Sequence, residues 1–233
     1  MKKLTSMISA LLLLSGAALA KGGSGGHSLG LGAGIVTASQ DDLENHSTTV
    51  NQLGGGRSAQ KPGSALEFDM YYEYRFSSTM FALQFRPSYF TQTGSGGTDK
   101  STLTGYTFFP LFRFYPLENN FIRFFMQAGL GYGRLQGKIE QPGGSIEFSG
   151  GEFGAMGGLG AMFCFTDSHC IHLEGNFRYL PIERNMSSAS YSNTAATTGF
   201  SQAVKGQELE YQGNDLKTTM SGIMGTVGYT MNF

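Results

Sequence analysis

Hydrophobic and polar side chains alternate at every second position along several stretches of this chain. In the clearest stretch the apolar positions are Leu66, Phe68, Met70, Tyr72, Tyr74 and Phe76. The positions between them are Glu67, Asp69, Tyr71, Glu73 and Arg75. Because successive side chains of a β-strand point to opposite faces of the sheet, this stretch predicts a strand with one apolar wall and one charged wall.

Seven further stretches show the same alternation, so the sequence predicts eight strands. The seven lie at about 29–35, 81–89, 105–114, 122–133, 153–165, 171–179 and 223–233. The short connections are at 77–79, 116–120 and 166–169. The other connections are mostly long, polar and rich in Gly, Ser and Asn, at about 39–64, 94–100, 136–151 and 180–216.

This alternation of short and long connections is typical of a β-barrel that spans the outer membrane, with short turns at one rim and long loops at the other. The fold class that we predict is therefore all-β, an eight-stranded antiparallel up-and-down transmembrane barrel. Because the number of strands is even, both chain ends should lie at the short-turn rim, which faces the periplasm. The long loops are then extracellular.

Two soluble folds also alternate: a lipocalin-like barrel and a β-sandwich. Either would bury its apolar wall and expose the other wall to water, and a water-facing wall usually carries many Lys, Glu and Thr side chains. Here the polar wall is largely Gly, Gln, Arg and small residues, whereas the apolar wall is rich in Phe and Tyr with almost no charge. An apolar wall of that kind favours contact with lipid. Pro87 and Pro110 lie within two of the predicted strands, where proline is irregular because it cannot donate a hydrogen bond to a neighbouring strand.

Composition excludes several other classes of protein. Charged residues make up 14% of the chain, against roughly 25% in an average soluble domain. The chain is too aromatic, at 13% Phe and Tyr, to be disordered. A net charge of −1 without a basic block argues against a nucleic-acid partner. Past the first twenty residues no apolar run approaches the roughly 18 residues of a membrane-spanning helix.

The N-terminus has the pattern of a secretory signal peptide. Two lysines precede an apolar segment, Met7–Leu14, and small residues follow at Ala18–Ala20. We therefore expect residues 1–20 to be cleaved after Sec-dependent export, and residues 21–233 to form the mature barrel. Export places the mature chain in an oxidising compartment.

Three segments resemble a known family. The run 123–133 is similar to the aromatic, Gly-alternating strands of small outer-membrane β-barrel proteins of the OmpA, OmpX and OmpW type, and so is 153–179 with its Thr-Asp-Ser turn. The closing residues resemble the terminal-Phe signal that the barrel-assembly machinery reads, carried here by Val227, Tyr229, Met231 and Phe233. The resemblance covers nearly all of the mature chain. It implies the fold and a location in the Gram-negative outer membrane.

The resemblance also implies partners, but it does not transfer an activity, because that family is functionally mixed. We expect contacts with outer-membrane lipid and lipopolysaccharide, handling by the barrel-assembly machinery, and a monomer. What the loops bind is unknown. No cofactor is expected.

The sequence gives only weak evidence for a catalytic site. Lipid A deacylase barrels carry a His-x-Ser-Asn site, and the nearest match, residues 190–193, has Ser at the position of the base. His46 and Ser47 are adjacent in a predicted loop, so they imply no catalytic triad. Glu208 and Glu210 are more typical of a solvated charge run than of an acid–base pair. We therefore expect no enzyme.

The two cysteines flank a short turn. Centring the turn on Asp167 places Cys164 and Cys170 directly opposite one another on the inner face, with Cβ atoms roughly 4.5–5.5 Å apart. Modest closure brings them within disulfide range, so we predict a disulfide bond. His172 on the same face has only Cys170 at ligand spacing, which favours an interior hydrogen-bonded histidine and no metal site.

The inner face collects nearly balanced charges. They are Glu67, Asp69, Glu73, Glu174, Arg75, Arg86, Arg113, Arg123 and Arg178. An eight-stranded barrel is only just wide enough for side chains to fill it, and an unpaired buried charge is costly. We predict a salt-bridge network that plugs the barrel, with Glu174 and Arg123 as central members. In the alternative arrangement these groups lie near the rims and are solvated separately.

These features favour a structural or interaction scaffold that displays surface loops. The alternative is a channel for a small solute or a hydrophobic compound. A conduit for hydrophobic compounds requires an apolar interior, whereas the predicted interior is charged.

Overall fold

A computed structural model describes residues 26–53, 56–119, 121–190, 199–200 and 204–233. Eight long strands dominate this part of the chain: β1 Gly26–Val36, β2 Ala65–Arg75, β3 Phe81–Gly94, β4 Lys100–Glu118, β5 Ile122–Gln141, β6 Gly144–Cys164, β7 His169–Tyr179 and β8 Gly222–Asn232. The expected signal peptide and its cleavage site lie outside the described residues, as do the last three residues of the segment 190–193.

The eight strands form a closed antiparallel barrel. Each strand pairs with its neighbour in sequence, and β1 pairs with β8 along a ladder that runs from Ser28 opposite Asn232 to Val36 opposite Met224. Closure leaves the sheet without a free edge, as a strand structure in lipid requires. The predicted fold class is confirmed. No helix among the described residues is long and apolar enough to cross a membrane.

The two walls of the barrel lie as the alternation predicts. The predicted apolar wall is exposed on the outside, for example at Phe68, Tyr72, Phe85, Phe112, Phe124, Leu130 and Leu173. The charged positions of β2, namely Glu67, Asp69 and Glu73, are buried inside. The sequence therefore places both faces of the sheet in the correct register.

The two prolines lie within strands, and they interrupt pairing. The β2–β3 ladder lapses opposite Pro87, and the β4–β5 ladder lapses at Pro110. Proline has no N–H group to donate to a neighbouring strand, which accounts for both gaps.

Segment 136–151 is strand, which corrects the expectation of a loop. β5 and β6 continue their pairing to Gln141 opposite Gly144, and the chain turns at Gly143 with φ 98°. Ile139, Ile146 and Phe148 still point inward and are buried. The apolar residues of the outer wall form a band around the barrel, and β5 and β6 extend beyond this band at their long-loop ends. The outward side chains of the segment are therefore polar, which gives it the composition of a loop.

The connection between β3 and β4 lies close to the expected 94–100, since β3 ends at Gly94 and β4 begins at Lys100. The segment 39–64 contains a helix, α1, at Asp41–Leu53. Asp41, Asp42 and Glu44 lie in its first turn, where carboxylates interact favourably with the helix dipole.

The helix α1 and the described residues of 180–221 form what we call the cap. The cap contains the two-residue strands Pro181–Ile182, Met186–Ser187, Glu210–Tyr211, Asn214–Asp215 and Thr218–Thr219. The Asp42 carboxylate accepts a hydrogen bond from the Lys217 backbone N–H at 2.8 Å, which joins the helix to the rest of the cap. The Gln40 side chain donates to Gln92 of β3 at 2.9 Å.

Beneath the cap is an apolar core inside the long-loop end of the barrel. Strands and cap both contribute buried side chains, among them Val36, Leu43, Phe90, Leu103, Phe109, Leu111, Leu135, Ile139, Ile146, Phe148, Leu180, Leu209, Tyr211 and Leu216. Burial of so much apolar surface fixes the cap on the barrel.

Candidate functional site: the charged interior of the barrel

The interior of the barrel is arranged in three layers along its axis. A small apolar cluster at the short-turn end contains Ala82, Tyr115, Phe125, Met162, Cys164 and Cys170. The apolar core beneath the cap fills the opposite end. Between them is the charge layer, which we define as Glu67, Asp69, Glu73, Arg86, Arg113, Gln127, Glu174, Asn176 and Arg178. The order along β7 shows this stacking, since its inward positions pass from Cys170 through Glu174 to Arg178.

Glu174 is the centre of the charge layer. Its Oε2 atom lies 2.5 Å from Nη1 of Arg86, and its Oε1 atom lies 3.0 Å from Nη2 of Arg113. The amides of Gln127 and Asn176 each donate to Oε2 at 3.2 Å. One fully buried carboxylate thus holds two guanidinium groups from different strands together.

Each of these arginines also binds a second carboxylate. Arg86 donates from Nε to Oδ1 of Asp69 at 3.1 Å. Arg113 Nη1 lies 2.9 Å from Oε2 of Glu73, whose other oxygen accepts a hydrogen bond from the Tyr115 hydroxyl at 2.6 Å. The network therefore extends across the interior as alternating acids and arginines.

Arg178 forms a second pair nearer the cap. It donates from Nη1 to Oε1 of Glu67 at 2.9 Å, and its Nη2 lies 2.8 Å from Oε2. Its Nε donates to the Met220 backbone carbonyl at 2.7 Å. The planar guanidinium group thus bridges a carboxylate and the segment that leads into β8.

Inward glycines make the room for these long side chains. A Cβ atom at Gly158 would lie 2.1 Å from Oδ1 of Asn176, and one at Gly30 would lie 2.2 Å from the Tyr71 ring. These positions must lack a side chain because groups of other strands occupy the space. The glycines on the predicted inner face are therefore part of the packing of the charge layer.

His172 lies beside the charge layer as an interior histidine. Its Nδ1 is 3.0 Å from the Thr230 hydroxyl, and its Nε2 is 3.9 Å from Oε1 of Glu174. Tyr71 also hydrogen-bonds to Thr230. In the described part of the chain, no three His, Cys, Asp or Glu side chains form a group that could hold a metal ion.

The other candidate residues lie in or under the cap. His46 is buried, with Nε2 4.0 Å from Oδ2 of Asp99, and the neighbouring Ser47 hydroxyl donates to the Leu43 carbonyl. Glu208 pairs with Arg184 at 2.6 Å. Ser47 is not positioned as a nucleophile for His46, since its hydroxyl is bonded within its own helix.

Arg75 and Arg123 are not in the charge layer, and Arg123 is not central, which corrects the predicted membership. Both pair with Glu118 at the short-turn rim, where Arg123 Nε lies 3.1 Å from its Oε1. The cause is depth, since Arg75 is the last residue of β2 and Arg123 the second of β5, both next to short turns. Their shared partner is available because of a bulge in β4, where the register with β5 shifts between Phe114 and Leu117. The extra residue turns Glu118 to the same side as the two arginines.

Sequence reasoning misses three members of these networks. Glu118 falls in a segment predicted to be a turn, and strict alternation cannot find it beyond the bulge. Gln127 and Asn176 lie on the predicted inner face, but the predicted network contains only ionised side chains. Counting amides at inward positions would find both, since they bond to Glu174 and, at 2.7 Å, to each other.

A disulfide bond joins Cys164 and Cys170, as predicted. The two residues are directly paired across the β6–β7 turn, and both are buried in the apolar cluster at the short-turn end. The bond therefore fixes a hairpin next to the rim.

We expect replacement of both cysteines by serine to lower the free energy of unfolding by about 2 kcal/mol, because the closed loop is short. Denaturant unfolding of the double variant in lipid vesicles would measure this. In the unreduced wild-type protein neither thiol should react with an alkylating reagent, and quantitative alkylation of both would contradict the disulfide.

The C-terminal residues close the barrel. Val227 and Tyr229 point outward from β8, and Met231 is half-buried. The Phe233 backbone forms a pair of hydrogen bonds with His27, and the two rings stack with centroids 6.0 Å apart. Recognition of these residues by the assembly machinery stays a prediction.

Comparisons with known proteins agree with this architecture. The model of the family described as "outer membrane protein beta-barrel domain" matches residues 6–203. OprG from Pseudomonas aeruginosa is similar in structure, with a TM-score of 0.53 and 12% identity, over 90% of this chain and 96% of that one. A major outer membrane protein from Thermus thermophilus gives a TM-score of 0.57 and 11% identity, over 90% and 99%. No curated protein matches the sequence.

Proposed function

The chain belongs to the outer membrane protein β-barrel domain family, and we propose that it acts in the outer membrane as a closed scaffold. In this proposal the cap and the long β4–β6 strands face the outside of the cell, and the charge layer plugs the barrel. Lipid and lipopolysaccharide surround the outer wall, the assembly machinery reads β8, and the protein is a monomer.

The observation that carries the proposal is the burial of the charge layer. Arg86, Arg113 and Arg178 are the largest fully buried side chains in the described residues, and each is held by at least one carboxylate. Opening a path through them would separate buried ion pairs, which costs several kcal/mol when one partner is lost. Such an interior supports a plug.

The apolar core beneath the cap supports the same conclusion. A water-filled path would have to pass between side chains such as Phe90, Phe109 and Leu135, which are almost fully buried. Two consecutive barriers of different chemistry, one apolar and one ionic, therefore oppose the passage of both ions and hydrophobic compounds.

The uneven lengths of the strands support the display of a surface. Strands β4, β5 and β6 have 19, 20 and 21 residues, whereas β1, β2, β7 and β8 have 11 each. Strands of about ten residues suffice to span a bilayer. The additional residues of the long strands therefore extend beyond it and carry the cap beside them.

Solute uptake by proteoliposomes tests the scaffold against the channel. We expect vesicles with the wild-type barrel to take up potassium, a monosaccharide and an apolar fluorescent compound no faster than vesicles without protein. A general porin reconstituted in parallel shows that uptake is detectable. Uptake of any of the three above the empty-vesicle rate would overturn the closed scaffold and favour the channel.

A further inference from the structure

The outward face of β3–β6 changes from apolar to polar in successive rows. The register between these strands defines an apolar row of Pro87, Phe108, Tyr132 and Phe153. The next row toward the cap is Tyr89, Tyr106, Arg134 and Gly151. Above it the row is Thr91, Thr104, Gln136 and Ser149. A girdle of aromatic side chains marks the interface of a barrel with water, so the Tyr89–Tyr106–Arg134 row lies at the membrane boundary.

Arg134 is the cation of this boundary row. Its side chain is exposed, and within the described ranges no carboxylate forms an ion pair with it. Lys138 on the same strand differs, because its Nζ lies 2.8 Å from Glu140, and this hydrogen bond lowers the pKa of the Glu140 carboxyl. The positive charge of Arg134 is therefore available to an anion outside the protein.

A polar groove lies on the same face directly above Arg134. Its volume is about 370 Å³, and its first row is two residues further along β5, or roughly 7 Å. The groove is lined by the polar residues Thr102, Thr104, Gln136, Lys138, Glu147 and Ser188, together with Gly137 and Phe148. Hydroxyl, amide and charged groups side by side can donate to and accept from the hydroxyl groups of a sugar.

We propose that Arg134 and this groove together bind lipopolysaccharide, with a lipid A phosphate on Arg134 and the adjoining sugars in the groove. The order of groups on the protein matches that of the ligand: an apolar wall for acyl chains, a guanidinium for phosphate, then a polar groove for sugars. A guanidinium group binds phosphate through two parallel hydrogen bonds. The site rests on the proposed orientation, in which the long strands face outward.

The test measures binding of labelled lipopolysaccharide to the full barrel in nanodiscs. Arg134→Gln should weaken binding about tenfold, as expected for loss of a charge-assisted hydrogen bond. The variant Lys205→Gln is the matched control, since it removes an exposed cation from the cap. It should bind like the wild type.

Altered ligands separate the two parts of the site. With dephosphorylated lipopolysaccharide, Arg134→Gln and the wild type should bind equally. With lipid A that lacks the core sugars, Gln136→Ala should bind like the wild type, although it binds complete lipopolysaccharide more weakly. Equal binding of complete lipopolysaccharide by Arg134→Gln and the wild type would overturn the site. An equal loss of binding to phosphatidylglycerol vesicles, or full competition by inorganic phosphate, would overturn its specificity for lipopolysaccharide.

A thiol label distinguishes failure of this site from failure of the orientation. Cysteine placed at Gln136 should react with an impermeant reagent in intact cells if the long strands face outward. If it reacts only after the outer membrane is disrupted, the proposed orientation is wrong and the lipopolysaccharide site is wrong with it. If it reacts in intact cells while the binding differences are missing, only the site is wrong.

Discussion

Glu174→Ala is expected to lower the free energy of unfolding of the barrel by about 3–5 kcal/mol. The fully buried carboxylate bonds to Arg86 and Arg113. Its removal leaves two buried guanidinium groups with less negative charge to balance them, and water cannot reach them. Reversible urea unfolding in lipid vesicles, followed by circular dichroism, measures the change.

Glu118→Ala is the matched control for this prediction. Glu118 also binds two arginines, Arg75 and Arg123, but its side chain is 30% exposed whereas that of Glu174 is 0% exposed. We expect a loss of only about 0–1 kcal/mol, because water solvates the arginines that remain. Equal losses of stability for the two variants would contradict the claim that the burial of Glu174, and not its ion pairs alone, makes it important for the stability of the barrel.

Leu130→Arg is expected to cost about 2–4 kcal/mol if this residue lies near the midplane of the bilayer. Leu130 is 73% exposed on the outer wall of β5, which the family places against lipid. An arginine there would carry its charge into hydrocarbon. Unfolding in phosphatidylcholine vesicles measures the loss, compared with the wild type in the same lipid.

Gln136→Arg provides the comparison on the same strand and the same face. Gln136 lies three rows nearer the cap, beyond the aromatic boundary, so the introduced charge should remain in water and change the stability little. Similar losses of stability at both positions would show that the apolar band of the outer wall does not mark the position of the bilayer.

The sequence predicts the barrel well because period-2 alternation is a local signal. A strand such as β2 carries its own evidence, since each inward acid lies between two outward apolar residues. Adjacent strands then pair in sequence order, so the topology follows from the number of strands and the lengths of the turns. The predicted β6–β7 hairpin is accurate enough to place Cys164 opposite Cys170.

Features that depend on distant or irregular contacts could not be predicted in this way. The bulge in β4 reverses the face of the sheet to which Glu118 points, and no residue type in that segment predicts a bulge. The hairpin 136–151 has the composition of a loop because its outer face is polar. The cap depends on contacts between residues that are far apart in sequence, such as the one between the hydroxyl groups of Thr49 and Tyr211, and on a shared core that contains both Leu43 and Leu209.

The conductance of single wild-type barrels in a planar lipid bilayer tests the central claim, that the charge layer and the core beneath the cap close the interior. We expect no stepwise current at either polarity of the voltage for the wild type. Glu174→Ala should admit ions if it folds, and folding is checked by its heat-dependent shift on gels. A steady wild-type conductance that Glu174→Ala leaves unchanged would contradict the closed interior.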